Sequence, residues 1–452
     1  MMRLISGYKK QSIYIFIGLI ALLFPYFDTS YFVLAFLVGA LFFSFIPPES
    51  PIFNALAREC DIKARNLTGL IQLFFTMAFL LTIGLVLGDN KFPLFIIGAA
   101  FAIITFGDGV ADVINIHEKT KRQDKTQNDI KFYSPKSSIV FLISGSVCAF
   151  LAGAWISGFT LQVPYGMIIF LSVIGANTGA LLETMTETED NIIIPFGSAM
   201  VMWLFYTFSY NVDTVYLMEI LVFSFVLGYL AYRARIADIS AMLSATLLGV
   251  VIIVSSELSW FFILLAFFLL GGLFTRYKYN YKLARGIAEG KGGVRGYKNV
   301  FSNSLAALSL AISYGIFPSH GVVLLAAYLG SIATATGDTL ASEIGETCKQ
   351  EPRMITTFKK VRAGTDGAIS DLGEGAAFFG SLVIALLAFV LIKNDFGLIL
   401  AVTAGGFIGT NIDSVLGATL QQKGYLSNNG VNLFATISGA IISGMLYYIM
   451  GS

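Results

Sequence analysis

The sequence predicts an all-α polytopic membrane protein of about 15 transmembrane helices. They are expected as two parallel tandem repeats of about seven helices, joined by a linker helix. Three observations carry this expectation: an apolar composition, a one-sided distribution of basic residues, and a constant offset between polar landmarks. Of 452 residues, 56% are hydrophobic and only 13% charged, with a mean hydropathy of +0.77. A soluble domain is charged at roughly one residue in four, so lipid is the solvent that suits these side chains.

A spanning helix needs about 20 mostly apolar residues, with every backbone polar group paired inside it. Runs of this kind lie near 12–27, 31–47, 67–88, 93–107, 137–156, 166–183, 193–209 and 215–232, then near 239–256, 257–274, 299–316, 320–337, 375–393, 396–414 and 431–450. Several are short enough to be re-entrant. With the N-terminus in the cytoplasm and sides alternating, the connections expected inside carry all but Lys91 and Lys393 of the 29 Lys and Arg. That is the positive-inside pattern, and a wrong number of spans would scramble it. A multi-pass protein of the cell membrane follows, with its charged loops in the cytoplasm and lipid as a constant partner. The first run reads as a retained helix, because no small-residue cleavage pattern follows it.

A net charge of +1 argues against nucleic acid as a partner. Cys60, Cys148 and Cys348 lack metal-type spacing and a disulfide framework. His117 and His320 are the only histidines, and neither joins a nucleophilic grouping. No P-loop motif is present.

Four landmarks recur 230 residues apart: Arg65 and Arg295, Asp108 and Asp338, Ser137 and Gly367, Glu183 and Asp413. This register predicts a duplication, with domains at 1–210 and 239–452 and a linker helix within 211–238. An even number of spans between equivalent points would make the copies parallel, both presenting sites to the cytoplasm.

Each copy sets an acid where an apolar run meets a charged loop: Gly107-Asp108-Gly109 with Asp112, and Gly337-Asp338 with Ser342-Glu343. Glycine admits close approach of a large anion, and a carboxylate beside it can share Mg²⁺ with substrate phosphates. The plainer reading is a helix-ending glycine with a capping Asp. Further acids and amides follow: Glu183 and Asp190-Asn191 before Pro195, and Asp413 with Asn428, Asn429 and Asn432. Acids at the membrane edge are costly and are functional candidates by default. Lys125, Lys131 and Lys136 lie between them in the first copy, and Arg353, Lys359, Lys360 and Arg362 in the second. The positive-inside rule alone would place bases there, but acids for metal with bases for phosphate are also the equipment of phosphoryl transfer.

These residues resemble two related families. The first copy resembles the polyprenol (phytol and dolichol) kinases over about 58–209, through Gly107-Asp108-Gly109, Asp112, Lys136-Ser137, Glu183, Asp190-Asn191 and Pro195. It departs from their pattern after Ser137, where Ser138, Ile139 and Val140 replace the usual Glu-Gly pair. The second copy resembles the phytyl-phosphate kinases over most of 239–450. The match runs through Arg295, Asn299, Asn303, Asp338, Glu343, Arg353, Gly364-Thr365-Asp366-Gly367, Asp413-Ser414, Gln421 and Asn432.

The resemblance implies a CTP-dependent phosphotransferase using Mg²⁺ or another divalent metal. It would take an isoprenoid alcohol of the geranylgeraniol or phytol type, or its monophosphate, to the diphosphate. Asp108, Asp112, Asp338 and Glu343 are then the expected catalytic acids, with Asp112 or Asp108 as base for the alcohol. Asp108 and Glu183, and Asp338 and Asp413, are the expected metal ligands, with Glu343 a further candidate beside the second pair. Lys136, Ser137, Asp190, Asn191, Arg295, Asn299, Asn303, Arg353, Lys359, Arg362, Gly364, Thr365 and Asn432 would hold nucleotide and phosphate, and Lys360 is a further candidate to neutralise phosphate. Rival expectations are a cytidylyltransferase of lipid phosphates, a lipid-linked transporter or flippase without nucleotide turnover, and a chain in which only the second copy is active.

Overall fold

Every apolar run of the sequence is helical in the computed structural model, which describes residues 12–57, 59–121, 134–185, 189–210, 212–348 and 350–451. Arg3, Lys9, Lys10, Lys125 and Lys131 lie outside the described residues. The chain divides into two compact units, Met1–Glu219 and Ile220–Ser452. The helix expected as a linker, Thr214–Arg233, crosses that division.

In the first unit, α1 (Ser12–Tyr26) ends in tighter turns that include Pro25. The helices α2 (Thr29–Ser44), α3 (Pro51–Leu56), α4 (Glu59–Ala64) and α5 (Thr68–Leu87) follow. Asp28 starts α2 by accepting the Ser30 N–H at 2.8 Å, a side-chain cap for an orphan donor. Asp89 does the same at 2.6 Å for Leu94, the first residue of α6 (Leu94–Ala102). All nine residues of α6 are buried. A helix apolar on every side belongs in the middle of a bundle, and α6 packs on α1, α5, α8 and α10. A stretch of π-helix, Ile103–Asp108, joins it to α7 (Gly109–Lys121). Then come α8 (Pro135–Phe159), α9 (Tyr165–Met185) and α10 (Asp190–Thr207).

After α11 (Thr214–Arg233), the second unit runs through α12 (Ile239–Ser255) and α13 (Leu258–Arg276), short helices α14 (Tyr279–Ala284) and α15 (Gly290–Gly293), then α16 (Tyr297–Ile316) and α17 (Gly321–Gly345). A two-stranded hairpin, β1 (Arg353–Met354) against β2 (Ala368–Ile369), precedes α18 (Asp371–Leu391), α19 (Phe396–Leu416) and α20 (Asn428–Gly451). Here α17 is central, packing on α13, α16, α18, α19 and α20. In the first unit α5 lies against α2, whereas in the second α16 lies against α12.

Ten helices among the described residues are long and apolar enough to cross a membrane. Ser12–Tyr26, Thr29–Ser44 and Ile239–Ser255 are apolar but shorter, reaching about 23–26 Å at 1.5 Å per residue against a core of about 30 Å. The helices α10 and α16 fall in neither group.

Small residues four apart let the helices of the second unit touch backbone to backbone. They are Gly330 and Thr334 on α17, Gly405 and Gly409 on α19, and Gly439 and Ser443 on α20. A Cβ at Gly439 would lie 1.9 Å from Thr334 Oγ1 and 3.1 Å from the Gly330 carbonyl oxygen. Gly439→Val should therefore lower stability by about 3 kcal/mol, the upper end for overpacking, read as a fall in detergent melting temperature. A melt unchanged from wild type would show that α20 can back away at no cost.

Candidate functional site

In each unit an acid lies within the central helical run, but not where hydropathy alone ends a helix. The sequence expected spans closing near 107 and 337. Instead the helix continues through Gly107-Asp108-Gly109 into α7, and α17 runs eight residues past Gly337 to Gly345. The capping reading of both Gly-Asp steps is thereby excluded. Intrahelical hydrogen bonds continue wherever the backbone is helical, whatever the side chains.

In the first unit Asp108 closes the π-helical stretch, and Asp112 follows one turn later on α7. Glu183 sits near the end of α9. Ligand oxygens of Asp108, Asp112 and Glu183 all lie within 4.8 Å of one another, and among the described residues this is the only such trio of acid, Cys or His ligands. Asp108 and Glu183 are buried, Asp112 half-buried. Two ionised carboxylates about 5 Å apart repel by roughly 3 kcal/mol at an effective dielectric near 20. A divalent cation between them reverses that sign.

The glycine before Asp108 keeps α8 close: a Cβ on Gly107 would stand 3.1 Å from Phe141 and 3.3 Å from Gly145 Cα. The amides of Asn115, Asn177 and Asn191 and the Ser138 hydroxyl are buried without hydrogen-bond partners. Buried polar groups normally have partners. Asp190 and Asn191 are buried in the first turn of α10, and Lys136 is exposed. Ser137, expected at a phosphate, has its hydroxyl in a capping box, with Ser134 N–H donating to it at 3.1 Å and Ser134 Oγ accepting from Ser137 N–H at 3.1 Å.

In the second unit Asp338 on α17 and Asp413 on α19 are half-buried, with their carboxyl groups beside each other. The charge of Asp366 also reaches Asp413. Asp366 belongs to the hairpin loop, which is seated on a π-helical stretch, Gly417–Gln421, at the end of α19. Gln422 Nε2 donates to the Asp366 carbonyl at 2.9 Å. Gly367 adopts φ +77°, where a Cβ would meet Ala418 N at 2.4 Å, so only glycine fits both the backbone and the contact.

Arg353 on β1 and the loop's Lys359 and Arg362 are exposed. Lys360 pairs with Glu351 at 3.5 Å. Gly364 takes φ +82°, and Thr365 Oγ1 donates to the Arg362 carbonyl at 2.7 Å. Asn432 is buried at the start of α20.

Asn299 and Asn303 lie one turn apart on α16, while Arg295 precedes that helix in an extended segment bridged to Ala237. Arg295 is buried, its guanidinium 5.6 Å from the Phe267 ring centre and its Nη1 without a hydrogen-bond partner. Asn303 Nδ2 donates to the Asn299 carbonyl at 2.9 Å.

Glu343 takes a partner the sequence did not announce. It forms a buried ion pair with Lys282 of α14, whose Nζ also donates to the Thr275 carbonyl at 3.0 Å. Glu343 is five positions along from Asp338, so they face different sides of α17, and among the described residues Glu343 joins no acid trio.

Burial, with like charge from Glu343 and Glu289, pushes the Glu346 carboxyl up from 4.5 to about 7. A raised acid supports the fold fully below its unfolded value and loses that support as pH rises through the folded value. Glu346→Gln should raise the melting temperature above wild type at pH 8 and give no gain at pH 4.5. Equal shifts at both pH values would sink this.

These features define a multi-pass helical integral membrane protein with acidic clusters set in its central helices. The chain belongs to the integral membrane protein DUF92 family, whose model matches residues 222–440. It is 36% identical to an uncharacterized membrane protein of Methanocaldococcus jannaschii over 222 residues, 49% of this chain and 90% of the relative. It is 38% identical to an uncharacterized membrane protein of Synechocystis over 201 residues, 44% of this chain and 78% of the relative. Protein VTE6, chloroplastic, of Arabidopsis thaliana is 28% identical over 211 residues, 45% of this chain and 63% of that protein. No solved structure gives a significant match.

Proposed function

We propose that the chain is a membrane-embedded isoprenoid kinase that builds a prenyl diphosphate, with CTP as phosphoryl donor. The observation that carries this reading is the meeting of Asp338 and Asp413, from two helices, within reach of Asp366 in a hairpin that also carries Arg353, Lys359 and Arg362. The resemblance of residues 239–450 to the phytyl-phosphate kinases supports the substrate class. Asp338 and Asp413 fit Mg²⁺, being hard oxygen donors brought together at the membrane edge. When bound, the metal would neutralise charge on the phosphates.

The two phosphorylations ask for different help. A prenol hydroxyl, with a pKa of roughly 16 like water's, needs a base as it attacks. A phosphate monoester, with a second pKa of about 6, is already an anion and needs charge neutralisation. The second unit, whose acid pair is joined by a hairpin rich in Lys and Arg, suits the monoester. An oxygen of the monoester attacks the terminal phosphorus of the nucleotide, the bridging P–O bond breaks, and the nucleoside diphosphate leaves. Burial worth about 0.8 kcal/mol per CH₂ keeps a C20 tail in lipid, with only its head at the acids.

The test is to incubate the purified chain in lipid with geranylgeraniol, its monophosphate, and labelled CTP or ATP. Label in the prenyl diphosphate with release of CDP is expected. Pyrophosphate release with a CMP-lipid would make it a cytidylyltransferase, and lipid movement without nucleotide turnover would make it a transporter.

A further inference from the structure

We propose that the first unit seats a phospholipid head carrying both a phosphate and an ammonium, at the membrane border opposite Asp108 and Glu183. The phosphate sits at Lys91 and the ammonium at Asp89. This site uses none of the acids and bases assigned above, and it stands whether or not the chain transfers phosphate.

Two cavities of opposite character flank one turn, residues 88–91. The first, of about 310 Å³, has Phe24, Phe27, Asp28, Asp89 and Phe92 in its lining, and no Lys or Arg among the described residues. The second, of about 400 Å³, has Asn90, Lys91, Trp203, Tyr206, Thr207 and Ser209. Phe92 of the first meets Trp203 of the second edge-on, with 5.2 Å between ring centres, so the cavities are neighbours. The charge of Asp89 also reaches Tyr206. Trp203 Nε1 donates to the Lys91 carbonyl at 2.7 Å and fixes the turn. From Leu94, where α6 starts, to Asp108 the helix rises about 21 Å at 1.5 Å per residue. The turn therefore lies at the far border from the acid trio.

Lys91 and Lys393 are the two bases outside the positive-inside pattern. Lys393 is explained by its ion pair with Asp395 at 3.2 Å and its hydrogen bond to Tyr447 at 2.7 Å. Lys91 has no ion-pair partner among the described residues. Its exposed side chain shares a cavity with the Asn90 amide and the hydroxyls of Tyr206 and Ser209. One ammonium among neutral donors suits a phosphate.

Asp89 Oδ1 accepts the Leu94 N–H at 2.6 Å, which leaves Oδ2 for a ligand. A carboxylate among phenylalanine rings suits an ammonium, held by charge and by the ring faces. A purely anionic head would meet Asp28 and Asp89, and a purely cationic one Lys91, so a zwitterion answers both cavities. Leu204 and Phe208, exposed beside Trp203 and Thr207, offer the acyl chains an apolar flank. That flank favours a lipid over a soluble head.

The experiment is native mass spectrometry of the full chain taken from nanodiscs of equal parts phosphatidylethanolamine and phosphatidylglycerol. One phosphatidylethanolamine per chain should be retained, enriched about tenfold over phosphatidylglycerol. Lys91→Ala should remove the retained lipid. Asp89→Asn, which keeps a side chain able to cap α6, should retain a lipid but lose the preference, an outcome a merely structural role would not produce. Excess glycerophosphoethanolamine, lacking acyl chains, should not displace the lipid. Should the variants fail to fold, phosphatidylethanolamine with a photoreactive group on the first carbons of an acyl chain should label the wild-type chain within 84–92 or 203–209. No retained lipid, a wild-type preference for phosphatidylglycerol, retention indifferent to Lys91, preference indifferent to Asp89, displacement by the soluble head, or label only elsewhere would overturn the proposal.

Discussion

Replacing Asp338 by Asn should lower prenyl diphosphate formation by about a thousandfold or more, the scale of losing a group that stabilises transition-state charge, while leaving the protein as stable as wild type or more so. The substitution keeps the shape of the side chain but removes one of two carboxylates that lie beside each other. A structural acid pair and a metal-binding pair respond differently. If the two acids only pack α17 against α19, the Asn variant keeps its activity, and its melting temperature rises because like-charge repulsion is gone. If they hold a cation, activity falls regardless of the melt. Prenyl monophosphate should still form from the alcohol, because the acids assigned to that step lie in the first unit. Diphosphate appearing at the wild-type rate would remove Asp338 from the chemistry.

Helices were legible in this sequence because about 20 apolar residues in a row leave the backbone few alternatives in lipid. The acids were legible for the same reason in reverse: a carboxylate beside apolar helix is expensive, so Asp108, Glu183, Asp338 and Asp413 stood out. What hydropathy could not show is where the helices stop. It marks the apolar stretch, whereas α7 and α17 continue on backbone hydrogen bonds through polar residues. The π-helical stretch ahead of α7 has no composition signal either, although such irregular turns recur at functional sites. Asn115 and Ser138 gained meaning only from burial. The small-residue pairs Gly405 and Gly409, or Gly439 and Ser443, carry a recognisable spacing, but whether two such pairs face each other is decided by packing. The hairpin loop was read as a set of bases; its contribution to position, through Gly367 and Asp366, depends on a contact with α19 that no local pattern encodes.

Lys282→Met should destabilise the chain by about 3–5 kcal/mol, the range for removing one member of a buried ion pair. Lys282 is fully buried, and besides Glu343 its ammonium reaches the carbonyl oxygens of Thr275 at 3.0 Å and Phe274 at 3.4 Å. It therefore ties α14 to the last turn of α13 and to α17 at once. Without it, Glu343 keeps a buried charge with Arg295 as the remaining cation whose field reaches it, and the two carbonyls lose a donor. The double variant Lys282→Met with Glu343→Leu should recover most of the loss, because exchanging both members of a buried pair for apolar groups of similar volume is often neutral or stabilising. Melting temperatures of the two single variants and the double variant, read as a cycle, separate the pair energy from packing. A fully recovered double variant that still makes prenyl diphosphate would assign Glu343 to holding the helices. One that is stable yet inactive would return Glu343 to the catalytic group in which the sequence placed it. Should Lys282→Met melt like wild type, the ammonium is not sustaining the buried charge, and the account of how α13, α14 and α17 are held together fails with it.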